Sequence, residues 1–254
     1  MTLGQLVASP TGTQSGADSA QLVVAAGNSY TVPENGTITS WSTNAVSGLG
    51  QKLTFKVFRK VSDPAFYRAV GHNGPQDLAG GLLNTFAANI AVQAGDIIGL
   101  NPTAANAIDV GITGDVILNK SPPLNDGEAA AFSTGTGGRI NVSAVFQPSN
   151  TVTVGTTALN KKKGTATLNL TLPNPGELTA TGSGVSASSA GHAVISKAVT
   201  PGATQLIVKA TGKKRKTLNS TGKVKLSVAL AYTPAGGDVS SESVSLKLKR
   251  TTKK

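Results

Sequence analysis

The chain has 254 residues, 39% of them hydrophobic but only 4% aromatic, with 30 glycines and no cysteine. It is long enough for two domains of about 100–150 residues. The missing cysteine excludes a disulfide frame, a thiolate zinc site and a cysteine nucleophile. Net charge is +11 and unevenly shared. Residues 1–148 carry seven Lys and Arg against nine Asp and Glu, a net −2, whereas residues 149–254 carry sixteen against three, a net +13. So sharp a split predicts two modules of different electrostatic character.

Residues 1–20, rich in Thr, Ser and Gly, read as a flexible lead-in. The opening MTLGQLVASPTG has no basic n-region and no long apolar stretch, so it does not read as a signal peptide. Nothing approaches the ~18 consecutive apolar residues of a membrane span. The first strand is predicted over 22–27, followed by a turn at 33–36, where Asn35-Gly36 is a favoured tight-turn pair. A strand over 37–41 then places Ile38 inward. Residues 51–60 alternate most clearly: Leu53, Phe55 and Val57 face one way, Lys52, Thr54, Lys56 and Phe58 the other. A strand over 66–71 follows, and 72–86 read as loop and returning edge.

Residues 90–100, IAVQAGDIIGL, read as strand, tight turn, strand. Gly95 permits a positive φ and the Asp96 carboxylate can cap nearby amides. A strand over 107–112, a broad loop over 120–128 and an alternating strand over 139–148 complete about eight short strands, the spacing of a jelly roll or related sandwich. Pro148-Ser149-Asn150 reads as a linker. Beyond it, about seven alternating strands punctuated by Gly and Pro form an immunoglobulin-like pattern. The fold class expected is therefore all-β: a jelly-roll-like β-sandwich over 21–148 and a basic immunoglobulin-like sandwich over 149–254.

Both halves resemble modules of secreted actinobacterial surface proteins. In the C-terminal half the resemblance is carried by GELTATG (176–182), LIVKA (206–210) with Lys213-Lys214-Arg215-Lys216, GKVKL (222–226), YTPAGG (232–237) and SLKLK (245–249). In the N-terminal half it is carried by Tyr30, Pro33, GTITSW (36–41) and VQAGDIIGL (92–100). The resemblance implies export, to the extracellular space or the cell wall, and supplies no catalytic residues.

Of the two histidines, His72 reads as a loop residue near Asp77, and neither it nor His192 has the surroundings of a Ser–His–Asp triad. Asn125-Asp126-Gly127-Glu128, with Asp109 and Asp115 the other late acids, offers oxygens for a structural calcium, though without EF-hand spacing; an Asx turn is the simpler reading. No other cofactor is expected. Trp41, Tyr67, Phe66 and Tyr30 are among the scarce aromatics. Exposed, Trp41 and Tyr67 would stack on a sugar while Asn73 and Asp77 bond its hydroxyls; buried, they are core.

Lys213, Lys214, Arg215, Lys216, Lys223 and Lys225, with Lys161-Lys162-Lys163 and 247–254, make a basic surface for an anionic polymer. Lysines that protect a strand edge are the plainer alternative. No aromatic residues interleave them, so specific nucleic-acid recognition is not expected. The function expected is that of a non-enzymatic secreted or cell-wall-associated structural or interaction protein, its basic module favouring anionic envelope polymers. A carbohydrate-binding module and a self-associating fibre subunit are the alternatives.

Overall fold

A computed structural model describes residues 1–12, 15–189, 192–193 and 197–251. The alternating segments become strands, and the chain divides into two compact units, Met1–Gln147 and Pro148–Lys254.

The first unit contains β1 (Thr2–Gln5), β2 (Asp18–Val23), β3 (Gly36–Asn44), β4 (Lys52–Ser62), β5 (Phe66–Asp77), β6 (Leu83–Val92), β7 (Ile97–Pro102), β8 (Ile108–Val110), β9 (Val116–Lys120), β10 (Ala129–Ala131), β11 (Ser133–Thr136), β12 (Gly138–Ile140) and β13 (Val142–Pro148). One sheet is ordered β1-β13-β3-β6, the other β10-β5-β4-β7-β2-β9-β11, and β12 pairs with β8. Between the sheets lies one hydrophobic core, with Leu53, Phe55 and Val57 from β4 and Ile38 and Trp41 from β3 fully enclosed. This is a β-sandwich, stabilised by removing alternate side chains of both sheets from water.

The corner between β6 and β7 carries the chain from one sheet to the other. Gly95 takes φ +90° there, in the region that favours glycine. The Asp96 carboxylate accepts the Gln93 amide at 2.8 Å and receives Arg59 in a two-pronged clamp at 2.7 and 2.8 Å.

The flexible lead-in expected over 1–20 holds a strand: β1 pairs antiparallel with β13, Leu3 opposite Ala144, and Leu3 is buried in the core. The first long strand starts at Asp18, not at residue 22, since Asp18, Ser19, Ala20 and Gln21 are buried while Leu22 and Val23 are exposed. His72 is no loop residue: β5 continues through it to Asp77, with His72 paired to Lys56. Lys56 and Phe58 do face away from the inter-sheet core, but the chain from Leu124 to Phe132 lies over them. Phe132 meets Phe58 and Tyr67 edge-on at 5.3 and 5.6 Å, so β4 is buried on both faces.

The second unit contains β14 (Thr153–Asn160), β15 (Thr165–Leu172), β16 (Gly176–Thr181), β17 (Val185–Ser189), β18 (His192–Ala193), β19 (Lys197–Val199), β20 (Gly202–Ala210), α1 (Gly212–Thr221), β21 (Lys223–Pro234) and β22 (Ser240–Lys249). Its sheets are ordered β14-β15-β20-β17-β18 and β19-β16-β21-β22. The core is aliphatic apart from Tyr232, whose hydroxyl donates to the Asn174 carbonyl at 2.6 Å. The helix α1 is absent from the sequence prediction because it has no apolar stripe. Leu218 alone of its residues is buried, and Gly222 ends it with φ 71° and an amide bond to the Leu218 carbonyl at 3.0 Å, a left-handed cap.

Candidate functional site

The proposed sugar platform does not form. Trp41 is fully buried between Phe55, stacked at 5.5 Å, and Phe86 at 4.8 Å. Its indole Nε1 donates to Asn73 Oδ1 at 2.9 Å, and Gln76 donates to the same oxygen at 3.1 Å. Tyr67 is buried at 2% exposure beside Phe132. A chain with so few rings places them where they fill most volume, so Trp41 and Tyr67 are core and Asn73 is a partner of the core. Asp77 is at the surface, bridged to Lys52 at 2.6 Å.

The titratable groups of the first unit meet elsewhere. His72 Nδ1 lies 2.8 Å from Asp126 Oδ2, a partner 54 residues away that sequence proximity to Asp77 could not reveal. Both flank a cleft of about 320 Å³ that Thr54, Asn101, Pro123 and Leu124 also line. At its floor the Lys56 ammonium meets both Asp18 oxygens at 2.8 Å and also donates to the Leu124 carbonyl. Asn101 and the Leu124 amide complete the carboxylate's bonds at 3.2 and 2.8 Å. Every charged group at the floor is satisfied by its neighbours, so the pair acts as a rivet holding residues 121–128 against the sheet.

Residues 125–128 close on themselves: the Asn125 amide donates to Glu128 Oε2 at 2.8 Å, and the Glu128 amide to the Asn125 carbonyl at 3.1 Å. Their oxygens are engaged in a turn, with Asp126 turned to His72. Among the described residues no group of three His, Asp or Glu is placed to hold a metal ion. Asp109 sits on β8 opposite Arg139. Asp115 is enclosed and receives Arg139 Nε and Nη2 at 2.6 and 3.0 Å and the Ala25 amide at 2.9 Å.

Burial pushes the Asp115 carboxyl up, but the Arg139 guanidinium and the Ala25 amide outweigh it and hold the group below its ordinary value of 3.8. The folded state therefore prefers the ionised carboxylate. Its contribution is fully present above the unfolded value and is lost as pH falls below about 4 through the folded value. Asp115→Asn is expected to flatten the acid limb of stability, measured as the urea midpoint of the first unit between pH 2 and 7. An unchanged limb would show that other carboxylates carry acid unfolding.

In the second unit the basic residues are brought together. Lys213, Lys214, Arg215 and Lys216 lie at the N-terminal end of α1, and Lys223 and Lys225 begin β21, all exposed. Lys214 Nζ reaches the Lys225 carbonyl at 3.4 Å. Lys225 lies directly opposite Lys247, and Lys223 opposite Lys249. The turn bearing Lys161, Lys162 and Lys163 joins them, because the Thr251 amide bonds the Lys161 carbonyl at 3.0 Å. Lys209, exposed on β20, belongs to the same end through its pairing with Thr165; as a lone lysine in an alternating strand it gave no signal in the sequence. His192 falls on β18, and its side chain lies outside the described residues.

None of these cations forms an ion pair among the described residues, whereas the first unit pairs Lys52, Lys56, Arg59, Lys60, His72 and Arg139 with carboxylates. No helix of the described residues is long and apolar enough to cross a membrane. Comparison of the chain with protein-family models, curated proteins and solved structures finds no match.

Proposed function

We propose that this is a non-enzymatic, secreted or cell-wall-associated interaction protein whose second unit holds an anionic polymer of the cell envelope. The observation that carries the reading is the field of exposed lysines on the second unit, unpaired among the described residues, on a chain whose first unit is close to neutral. Like charges packed together without counter-ions cost stability, and a polyanion that released its own counterions would offset that cost.

The strand orders support the kinship with surface-protein modules. In the second unit β14-β15-β20-β17 faces β16-β21-β22, the A-B-E-D and C-F-G arrangement of immunoglobulin-like sandwiches. In the first unit successive strands alternate between the sheets, β2 in one, β3 in the other, β4 and β5 in the first again, then β6 and β7 in turn. Crossovers of this kind support a jelly roll.

Edge protection accounts for less of the pattern. It suits Lys247 and Lys249 on the edge strand β22, but β21 is an interior strand and α1 has no edge to protect. The test is retention of the intact chain on an immobilised acidic wall polymer as salt rises. Affinity is expected to fall steeply between about 50 and 200 mM salt. Salt-insensitive retention, or retention on a neutral glycan instead, would sink the electrostatic reading and move attention to the cleft beside His72 and Asp126.

A further inference from the structure

We infer that the second unit is electrically polarised along its strands and engages a flexible polymer of repeating phosphate monoanions through one pole alone, the end remote from Pro148. This rests on the proposed reading of the chain as a polyanion binder and narrows it to one surface and one chemistry.

Strand register defines the two poles. Lys223 pairs with Lys249 at one end of β21, and Thr233 pairs with Glu177 at the other. Ten residues of extended chain separate them, roughly 33 Å. The far pole gathers the 160–164 turn, α1, the start of β21 and the end of β22. These segments touch: the Arg250 amide bonds the Gly222 carbonyl at 2.8 Å, and the Thr211 amide bonds the Gly184 carbonyl at 2.8 Å.

Thirteen of the unit's sixteen Lys and Arg lie at that pole. The three acids are placed in the opposite half, Glu177 opposite Thr233, Glu242 opposite Leu230, and Asp238 in the turn where its carbonyl accepts Asn150. At a Debye length of about 8 Å in physiological salt, carboxylates that far away do not neutralise the basic end.

The pole breaks two rules of favourable charge placement. Lys223/Lys249 and Lys225/Lys247 are like-charge pairs directly across antiparallel strands, an arrangement that destabilises a sheet. Three cations, Lys213, Lys214 and Arg215, crowd the first turn of α1 with Lys216 just beyond it and no acid there, at the end where the helix dipole disfavours positive charge. Both features fit a surface whose counter-charge arrives with a ligand.

The side-chain chemistry narrows that ligand. Eleven of the thirteen cations are lysines, compact point charges that meet phosphate without the two-pronged geometry an arginine fork imposes on carboxylate and phosphate alike. Of the two arginines, Arg250 gives one of its donors to Asn219. The unit's one aromatic residue, Tyr232, is buried near the other pole, so nothing at the basic end can stack bases. A field of point charges without shape selection suits a flexible chain of phosphate monoanions.

The experiment titrates the intact chain with soluble inorganic polyphosphate across a salt series, with orthophosphate, poly-L-glutamate and duplex DNA as comparison probes. A pole variant carries Lys213→Gln, Arg215→Gln and Lys216→Gln. A control variant removes the same charge from the first unit through Lys52→Gln, Lys60→Gln and Lys120→Gln. A third, Lys225→Glu, tests one cross-strand pair, with Tm recorded for all.

Polyphosphate is expected to bind far more tightly than orthophosphate. The pole variant should lower the slope of log affinity against log salt by about 2, while the control leaves it unchanged. Lys225→Glu should weaken binding while raising Tm. Equal losses in pole and control variants would overturn the one-pole inference and leave the general reading standing. Equal affinity for poly-L-glutamate at matched charge would overturn the phosphate assignment, and tighter binding of duplex DNA would replace the flexible chain with a stiff one. Failure of the unaltered chain to bind any polyanion would overturn the underlying reading and this inference with it.

Discussion

Trp41→Ala is expected to destabilise the first unit by about 3–5 kcal/mol, the range for truncating a large buried ring. The side chain is wholly enclosed, stacked on Phe55 and tilted against Phe86. Its removal leaves a cavity in the middle of the inter-sheet core and takes a donor from Asn73 Oδ1, which keeps only its bond from Gln76. For a unit of this size the loss corresponds to a fall in Tm of roughly 10 °C or more. Thermal unfolding followed by far-UV circular dichroism measures it, because the variant lacks the chain's one tryptophan. The second unit's transition and the retention on anionic polymer should both be unaffected. A change of under about 0.5 kcal/mol, the range for a surface substitution, would contradict the buried placement of Trp41 and restore it as a candidate platform.

The same residue shows where the sequence is readable and where it is not. A period of two is a property of neighbouring residues, so Leu53, Phe55 and Val57 of β4, or Val224 and Leu226 of β21, declare their faces without knowledge of the fold. So does the turn at Gly95-Asp96, whose chemistry is local. Whether an aromatic on such a strand is covered depends on what lies across from it, and for Trp41 that is β4, a different sheet. β2 escapes the pattern, since three of its four buried positions are the polar Asp18, Ser19 and Gln21, with Ala20 the only apolar one. They are tolerated inside because distant partners bond them: Lys56 for Asp18, Asn119 for Ser19, the Ile140 amide for Gln21. Periodicity is blind to such pairs, as it is to His72 with Asp126. The basic pole was legible as runs of lysine, but its convergence was not. That required the short α1, whose single apolar anchor, Leu218, is too weak a signal to announce a helix.

Asp18→Ala should be nearly as damaging as the loss of Trp41, about 3–5 kcal/mol, for an electrostatic reason. Lys56 and Asp18 are both enclosed, with side-chain exposures of 6% and 0%, and each ion is tolerable only because the other is there. Removing the carboxylate strands an ammonium group under Leu124 with one carbonyl, the face of Phe58 at 5.5 Å and the charge of Glu128, which is not bonded to it, as its remaining company. An unpaired buried charge is among the costliest single defects a fold can carry. Lys56→Met added to Asp18→Ala should recover much of the loss, since a flexible apolar chain of similar reach no longer needs a counter-charge. The double-mutant cycle, read from urea unfolding of the first unit, is expected to show a coupling of at least about 2 kcal/mol. Additive costs would mean that the pair does not hold residues 121–128 to the sheet. The His72–Asp126 contact, exposed on both sides, would then have to do so, although a surface pair is worth only about 0–1 kcal/mol.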